Sequence, residues 1–370
     1  MPDRLTIGVE EEFFVVDPVT RALVTDGWPV LDRLDEQGLV GRQASYDTEI
    51  LRSIIESRTA VCQELGELRA ELRGLRDGLV EAASGSGHRI VSAGTLPVAD
   101  VRTQQVTPKP RYERLVEAYQ EVARGSIICG CHVHVGIPDR EAAVQVLNRV
   151  RPWLPVLLAL SVSSPYWEGD DTGYASYRAI RWNHWPTAGI PEPRRSFAEY
   201  EQAIQSLVDT GTIFDGSQIY ADVRLGLKQP TLEFRIADAC ATVDEAVLQA
   251  GLCRGLVRVC LDELASGRPL LDIPAALLRA ARWRAARSGL DHDLIDARTA
   301  EPIPSAAMLD RFLDYLRPAL KHSGDWDEVT ALAERTQRDG TSAERQRGAF
   351  AQAGRLEDVV DLLIAETASG

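Results

Sequence analysis

The sequence has few lysines, a deficit of positive charge and no long apolar run. Lysine occurs only at positions 109, 228 and 321 among the 41 basic residues. The 55 acidic residues give a formal net charge of −14, which repels nucleic acids and anionic membrane surfaces. The longest apolar candidate, Trp153 to Val162, is shorter than the roughly 18–20 residues that span a bilayer. We therefore expect neither a nucleic acid nor a membrane as a partner.

Cysteine is also scarce, with six residues in 370, too few for a disulfide framework in a chain of this size. The opening residues lead directly into a strand-like run and lack the apolar segment of a secretory signal. We therefore expect a cytoplasmic location and reduced thiols. Cys129 and Cys131 form a C-x-C pair without a second cysteine pair, which favours buried core thiols over a zinc site.

The order of secondary-structure patterns predicts an α+β fold with a mostly antiparallel sheet, because strands and helices alternate unevenly. No internal repeat or low-complexity linker divides the chain, so we predict one catalytic domain over 1–370. Its sheet-bearing core covers 4–240, and 241–370 forms a mainly helical packing region. Strands are predicted at 4–16, 89–93, 126–137, 218–225 and 231–237. Helices are predicted at 62–83, 111–123, 139–151, 153–163, 242–266, 274–287, 305–318, 326–337 and 355–367.

Three predicted strands each carry two polar residues two positions apart, and alternation places such a pair on one face. The pairs are Glu10 and Glu12, His132 and His134, and Glu233 and Arg235. Two carboxylates on one face repel each other unless a proton or a cation neutralises them, and their oxygens suit Mg²⁺ or Mn²⁺. Each pair alone also fits a structural role. Together they predict a pocket for divalent metal ions and a nucleoside triphosphate.

A fourth acidic group, Glu49 and Glu56, lies in a segment, 45–57, whose secondary structure is ambiguous. Seven residues apart, the two side chains share a face on a helix and oppose each other on an unbroken strand. If both serve one site from a strand, a bulge or kink must separate them. The long irregular stretch 164–195 is predicted to be functional, because compact domains rarely keep such a loop without a role.

Four segments stand in this order along the chain: GVEEEFFVVDP (8–18), CGCHVHVGIPD (129–139), SPYWEGDDTGYASYR (164–178) and TLEFRIADA (231–239). Together they resemble glutamate–cysteine ligase family 2 and, within it, the YbdK-type carboxylate–amine ligases. The resemblance covers roughly residues 4–365. It implies a glutamine synthetase-like fold, in which a curved antiparallel sheet forms a funnel with helices outside. It also implies ATP-dependent amide formation through an acyl phosphate, between the γ-carboxylate of glutamate and cysteine or another amine.

The resemblance further implies two divalent metal sites, filled by Mg²⁺ or Mn²⁺, one at the ATP phosphates and one nearer the acceptor carboxylate. The first takes Glu10, His132 and Glu233, and the second takes Glu12, Glu49 and Glu56. The resemblance assigns catalytic roles at the transferred phosphoryl group or the activated carboxylate to His134, Arg178 and Arg235. Binding of the nucleotide or its phosphates falls to Arg181 and Arg224.

The identity of the acid and of the amine is not readable from the sequence. Leu96 stands where many relatives carry histidine, which puts a substrate contact at that position in doubt. The three tryptophans of the long loop, at 167, 182 and 185, either select the substrate or pack the core. Two other functions remain open: phosphotransfer to a guanidino group, and a non-catalytic sensor of nucleotide or metal. A homodimer or a higher homo-oligomer is a family-level expectation.

Overall fold

Strands and helices alternate along the described residues, 4–40 and 44–369, of this computed structural model. The strands are β1 Ile7–Val16, β2 Ser45–Thr48, β3 Ile54–Arg58, β4 Arg89–Val91, β5 Gly130–Gly136, β6 Tyr166–Trp167, β7 Asp170–Asp171, β8 Val223–Leu225, β9 Thr231–Asp238, β10 Leu294–Asp296 and β11 Glu301–Ile303. The α-helices up to residue 209 are α1 Trp28–Glu36, α2 Leu65–Gly85, α3 Pro110–Tyr119, α4 Glu121–Arg124, α5 Arg140–Val150, α6 Leu154–Ser161, α7 Tyr177–Trp182 and α8 Phe197–Asp209. The later helices are α9 Val243–Ala265, α10 Ala275–Ser288, α11 Ser305–Ser323, α12 Trp326–Asp339, α13 Ser342–Ala353 and α14 Leu356–Ala368.

One seven-stranded sheet organises the fold. Its main path runs β2-β3-β1-β5-β9-β8, and β4 pairs with the C-terminal end of β1, past the segment that pairs with β5. Every pair of these strands is antiparallel. The remaining strands form the separate two-stranded sheets β6–β7 and β10–β11. The predicted α+β class with a mostly antiparallel sheet is therefore confirmed, and so is the mainly helical C-terminal third.

One face of the sheet is apolar and carries the helices. The alternate residues Val9, Val133 and Phe234 belong to one large buried cluster, which α2, α5 and α9 also enter. Helix α2 contributes the predicted leucine stripe, beginning at Leu65, and a capping box formed by Glu64 and Glu67 fixes its start. Since side chains alternate along a strand, the polar pairs of β1, β5 and β9 face the opposite side.

Glu11 is the exception on the apolar face. Its side chain is completely buried, and both carboxylate oxygens accept hydrogen bonds from Arg76 of α2, at 2.6 and 3.1 Å. Arg76 also donates to the backbone oxygens of Ala241 and Cys240 at 2.9 and 2.8 Å. This bidentate pair compensates the charge between sheet and helix and ties α2 to the segment that leads from β9 into α9.

The ambiguous segment 45–57 contains two strands rather than one helix or one strand. β2 and β3 pair as an antiparallel hairpin in which Asp47 stands opposite Glu56. The turn between them reverses the chain, so Glu49 at the end of β2 returns to the side of Glu56. Glu49 and Glu56 are therefore separated by a full turn of the chain, in place of the bulge or kink that a shared site on one strand would need.

Several elements differ from the sequence-based expectation. The stretch 164–195 is not irregular throughout, since it contains the β6–β7 hairpin and the short helix α7. The predicted helix 111–123 is two helices, because Gln120 adopts a positive φ of 50° between them. The predicted helix 305–318 continues to Ser323 past Pro318, with Leu316 and Leu320 buried. Helices α1, α8 and α13 and the β10–β11 hairpin were not predicted.

The six cysteines are all buried and none forms a disulfide, as expected for core thiols. Among the described helices, none combines the length and the apolar character needed to cross a bilayer. The predicted division into 4–240 and 241–370 remains a prediction. The largest buried cluster extends from Leu5 to Ala343 and so includes residues of both regions.

Candidate active site

The antiparallel register brings the polar pairs of three strands together. β1 lies between β3 and β5 in the sheet. Glu10 of β1 stands opposite His132 of β5, so their side chains emerge next to each other. Glu12, two residues further along β1, stands opposite Glu56 of β3. The E-x-E motif therefore serves two neighbouring groups of ligands, one on each side of β1.

The first group consists of Glu10, His132 and Glu233, each of which has one ligand atom within 4.8 Å of the others. Nδ1 of His132 lies 3.6 Å from an oxygen of Glu10, and Nε2 of His134 lies 3.7 Å from the same oxygen. Burial, assisted by the nearby Arg235, lowers the pKa of His132 to about 3. A neutral imidazole keeps one nitrogen lone pair free for a metal ion.

The two carboxylates of this group are held in the ionised form. Burial disfavours the charge on Glu233, but Arg235 and Arg224 outweigh burial and lower its pKa to about 2. Burial also disfavours the charge on Glu10, and the imidazoles of His132 and His134 reverse that effect and hold its pKa well below the usual value. Two anionic carboxylates beside a neutral imidazole match the ligand set of a divalent cation.

The second group consists of Glu12, Glu49 and Glu56, whose ligand oxygens also lie within 4.8 Å of one another. Burial and the neighbouring Glu49 raise the pKa of Glu12 to about 8. Burial and the surrounding carboxylates, Glu10 first among them, raise the pKa of Glu56 well above its usual value. A bound cation would remove the mutual repulsion that keeps these three carboxylates from ionising together, so the group can hold a metal ion.

Arg235 and Arg224 both bind Glu233. Nη1 of Arg235 donates to one oxygen of Glu233 at 2.5 Å, and Arg224 donates to both oxygens at 2.7 and 3.0 Å. Nε of Arg235 is buried and has no hydrogen-bond partner among the described residues, and the same is true of Nε2 in His132 and in His134. Arg235 and His132 line a polar pocket, in which a bound ligand would give these nitrogens a partner.

Two of the four arginines predicted for the site line the cavity, and the other two do not. Arg235 and Arg224 line the central cavity, whereas Arg178 and Arg181 do not. Arg178 is buried beside β9, where it donates to the backbone oxygens of Ile236 and Arg235 at 3.4 and 3.3 Å, and its guanidinium group lies 5.3 Å from the ring centre of Trp182, which lines the cavity. A Cβ at Gly130 would collide with this guanidinium group and would lie 3.0 Å from Nε2 of His132, so the guanidinium group is on the same face of β5 as His132. Arg178 therefore lies next to the site without lining the cavity, and its predicted catalytic role remains a prediction.

Arg181 lies on α7 with its guanidinium group over the ring of Trp167, 4.7 Å from the ring centre, and donates to the oxygen of Gly125 at 3.1 Å. Its predicted role in nucleotide binding likewise remains a prediction. The loop that carries it is fixed to the sheet by Asp238, whose carboxylate accepts hydrogen bonds from Ser164 and Ser176 at 2.6 and 2.8 Å. Leu96 is buried in a neighbouring apolar cluster and does not line the cavity.

A cavity of about 200 Å³ opens over both ligand groups. Sequence reasoning did not assign several of its lining residues: Ile50, Ile54, Arg111, Tyr112, Leu115, Ser126, Ile128, Ser217 and Tyr220. Trp182 and Trp185 also line it, and Trp182 donates to the oxygen of Tyr220 at 2.7 Å. Two of the three loop tryptophans therefore line the cavity, and both also belong to a buried apolar cluster, so substrate selection and packing both stay predictions. Arg111 and Tyr112 carried no signal in the sequence, because they begin an ordinary surface helix.

The comparison with protein families agrees with these motifs. The model of Glutamate-cysteine ligase family 2 matches residues 6–361. The chain belongs to this family. A relative in Frankia alni named "Putative glutamate–cysteine ligase 2-2" is 43% identical over 98% of this chain and 97% of its own length. Another Frankia alni relative, "Putative glutamate–cysteine ligase 2-3", is 46% identical, but this chain spans only 42% of its length.

Solved structures place this family 2 chain within a known ligase fold. A glutamate–cysteine ligase of Francisella tularensis, solved with AMP, aligns over 99% of this chain and 89% of its own with a TM-score of 0.74 at 12% identity. A bifunctional glutathione synthetase of Pasteurella multocida aligns over 99% of this chain and 52% of its own with a TM-score of 0.73 at 17% identity. The predicted glutamine synthetase-like fold class is thus confirmed.

The second ligand group allows a test of metal binding that does not require turnover. We expect Mn²⁺ to raise the melting temperature of the protein, since a ligand at 100 times its dissociation constant contributes about 2.7 kcal/mol. In Glu56→Gln the crowded carboxyl group becomes a neutral amide. Without metal this variant should melt about 2 °C above the unmodified chain, because one repulsive partner is gone. It should also lose most of the Mn²⁺-induced increase.

Glu81→Gln is the matched control, because the same chemical change is made at an exposed position of α2. It should keep both the starting melting temperature and the response to Mn²⁺. Differential scanning fluorimetry over a Mn²⁺ series, after chelation of adventitious metal, measures both quantities. An equal Mn²⁺ response in Glu56→Gln and in the unmodified chain would contradict the assignment of Glu56 as a ligand.

Proposed function

We propose that this chain is an ATP-dependent carboxylate–amine ligase, of the glutamate–cysteine ligase type, that uses Mg²⁺ or Mn²⁺ and forms ADP. The observation that carries the proposal is the pair of ligand groups on one face of the sheet. One comprises Glu10, His132 and Glu233, and the other comprises Glu12, Glu49 and Glu56. Membership of the family supports the same reaction class. The substrates we propose are the γ-carboxylate of glutamate and cysteine or another small amine.

The reaction needs ATP because a carboxylate is unreactive towards an amine. Attack by the amine on a free carboxylate would have to expel oxide or hydroxide, which are very poor leaving groups. When a carboxylate oxygen attacks the γ-phosphorus of ATP, ADP leaves and an acyl phosphate forms. The amine nitrogen then attacks the acyl carbon, inorganic phosphate leaves with the C–O bond electrons, and the nitrogen loses a proton. The products are an amide, ADP and phosphate.

This sequence of steps concentrates negative charge at the γ-phosphoryl group and at the acceptor carboxylate. Divalent ions held by the two ligand groups would supply the positive charge that offsets the phosphate and carboxylate oxygens. Arg235 donates to Glu233 and keeps its Nε free of protein partners, so one face of the guanidinium group is available to an anionic oxygen. His134 lies 3.7 Å from Glu10, which raises its pKa against the effect of burial, so it too can present an N–H to an anion.

The walls of the cavity suggest where the parts of the substrates lie. Trp182, Trp185 and Tyr220 form an aromatic cluster, with the rings of Trp185 and Tyr220 centred 4.7 Å apart. Such a surface accepts the flat base of a nucleotide or the apolar part of an amine. Arg111, on the same cavity, is placed to bind a carboxylate of the acid substrate. The acidic ligand groups exclude an extended polyanion such as nucleic acid from the same space.

The proposal makes a direct prediction about the products. With ATP and Mg²⁺, glutamate and cysteine together should give ADP, phosphate and an amide in equal amounts. Omission of either substrate should reduce phosphate release at least about tenfold, because each step needs its own acceptor. Coupled assays for ADP and phosphate, with mass spectrometry of the amide, measure all three products.

The other outcomes separate the alternatives. ADP without phosphate, in the presence of a guanidino acceptor, would establish phosphotransfer to a guanidino group. Nucleotide binding without turnover of any carboxylate–amine pair would establish a sensor. We place the activity in the cytoplasm, where ATP is available and where the six buried thiols stay reduced. We also propose that the chain forms a homodimer or a larger homo-oligomer. Light scattering measures the molar mass that tests this.

A further inference from the structure

A second cavity lies away from the sheet, between helices and the segments that connect them. Its volume is about 260 Å³, and it shares no lining residue with the cavity over the ligand groups. It is formed where α5 passes through a single 3₁₀ turn, Arg151–Trp153, into α6. The segment after α9, the start of α10 and the side of α11 close it. Its lining residues are Asn148, Arg149, Arg151, Pro152, Trp153, Glu263, Arg268, Pro269, Leu270, Leu271, Ile273, Leu278, Arg298 and Tyr315.

Arg151 lines this cavity, and its guanidinium group has no partner among the described residues. The residue is only 5% exposed, and its Nε is buried with no hydrogen-bond partner among the described residues. No carboxylate of the described chain lies within 4.0 Å of its guanidinium nitrogens. Burial lowers its pKa, and the exposed carboxylates of Glu192 and Asp272 only attract it from a greater distance. A buried arginine is ordinarily paired, because an unpaired charge in the interior costs several kcal/mol.

Arg149 adds a second guanidinium group that no carboxylate neutralises. It donates to the backbone oxygens of Gln145 and Arg268 at 3.1 and 2.9 Å, and its Nε has no partner among the described residues. The other two arginines of the cavity are paired, Arg268 with Glu263 and Arg298 with Asp296. The cavity therefore carries an excess of positive charge in a chain whose net charge is −14.

The rest of the cavity wall is apolar and aromatic. The ring of Trp153 stacks on Tyr315 at 4.8 Å between centres, and the guanidinium group of Arg298 lies 3.9 Å from the same tryptophan. At the rim, Leu270 is 40% exposed and Leu271 is 56% exposed. A pocket with an aromatic wall, an apolar rim and one unpaired buried cation has the character of a site for an organic anion.

We propose that this second cavity binds a small organic anion, with its carboxylate, sulfonate or phosphate group on Arg151 and its apolar body between Trp153 and the leucines of the rim. Inorganic phosphate would satisfy Arg151 but would leave the apolar wall uncovered. An apolar molecule without charge would cover the wall and leave Arg151 unpaired. The proposal does not depend on the ligase reaction, because none of its residues belongs to the first cavity.

Two fluorescent probes of nearly the same shape test the proposal. 8-Anilinonaphthalene-1-sulfonate carries an anionic group, and N-phenyl-1-naphthylamine is the same body without it. In titrations of the full chain we expect saturable binding of the sulfonate. Arg151→Met, which keeps the length of the side chain, should weaken this binding about tenfold or more. The neutral probe should bind to the variant within about twofold of its affinity for the unmodified chain.

Two further variants locate the binding site. Leu271→Asp adds a negative charge at the exposed rim and should also weaken binding of the sulfonate probe, by repulsion. Arg73→Met makes the arginine-to-methionine change at an exposed position of α2 and should alter neither probe. Equal sulfonate binding by Arg151→Met and by the unmodified chain would overturn the proposal, as would an equal loss of both probes.

The stability of Arg151→Met gives an independent readout. If Arg151 serves a ligand, its unpaired charge destabilises the ligand-free protein, and methionine should raise the melting temperature. If Arg151 has a purely structural role, the same change should lower the melting temperature, because buried contacts are lost. A higher melting temperature together with weaker sulfonate binding supports the proposal, and a lower one overturns it.

Discussion

Glutamine in place of Glu10 is expected to lower the rate of ATP-dependent ligation by about 10²–10³-fold and to leave the fold intact. Glu10 contributes a ligand oxygen to the group with His132 and Glu233, and a carboxamide cannot replace its negative charge at a divalent cation. The size of glutamine is unchanged, so the melting temperature should stay within about 3 °C of the unmodified chain. Initial rates of amide formation and a thermal melt on the same preparation measure both quantities.

Two further glutamate-to-glutamine variants complete the experiment. Glu12→Gln, in the second ligand group, should also lose activity without loss of structure. Glu81→Gln, exposed on α2, should retain full activity and full stability. If Glu10→Gln kept more than about a tenth of the activity at saturating ATP and metal, the assignment of Glu10 as a ligand would be wrong.

The alternation rule predicts the site on β1, β5 and β9 because each of these strands has one apolar face. Glu10, His132 and Glu233 meet as the motifs suggest, since a side-chain period of two leaves no other face for them once Val9, Val133 and Phe234 enter the core. Alternation along a strand does not predict the register between neighbouring strands. The pairing of Glu12 with Glu56 depends on hairpin geometry far along the chain.

Sequence reasoning missed part of the cavity lining, and some of the residues that it assigned do not line the cavity. Arg178 stands in a motif segment and on α7 and lies against Gly130 beside the cavity, and its catalytic role stays a prediction. Arg111 and Tyr112 line the cavity because α3 forms part of its wall. Tertiary packing of this kind leaves no periodic trace in the local sequence.

Glu11 stands between Glu10 and Glu12 and has the same side chain, but its surroundings are different. Its carboxylate lies in the apolar layer between sheet and helices, where Arg76 binds both oxygens. The three glutamates thus have different physical tasks, and only their direction from the strand separates them. Substitution at the central position should therefore change stability rather than chemistry.

Glu11→Gln is expected to lower the free energy of unfolding by about 3–5 kcal/mol, because Arg76 keeps a buried charge without its counter-ion. This loss is a large part of the roughly 5–15 kcal/mol that stabilises a folded protein, so the urea midpoint should fall substantially. The folded fraction that remains should ligate at close to the normal rate per molecule, which sets Glu11 apart from Glu10. Urea unfolding and specific activity of the soluble fraction measure these effects.

The double variant Glu11→Leu/Arg76→Met removes both charges and should recover part of this loss, because an apolar pair of similar volume is compatible with the surrounding core. Recovery should stop about 1–3 kcal/mol below the unmodified chain, since the backbone oxygen of Ala241 then loses the donor that Arg76 provides. A single variant Glu11→Gln as stable as the unmodified chain would contradict the buried pair. A double variant less stable than the single one would show that the ion pair itself, rather than the isolated charge of Arg76, governs the stability of this layer.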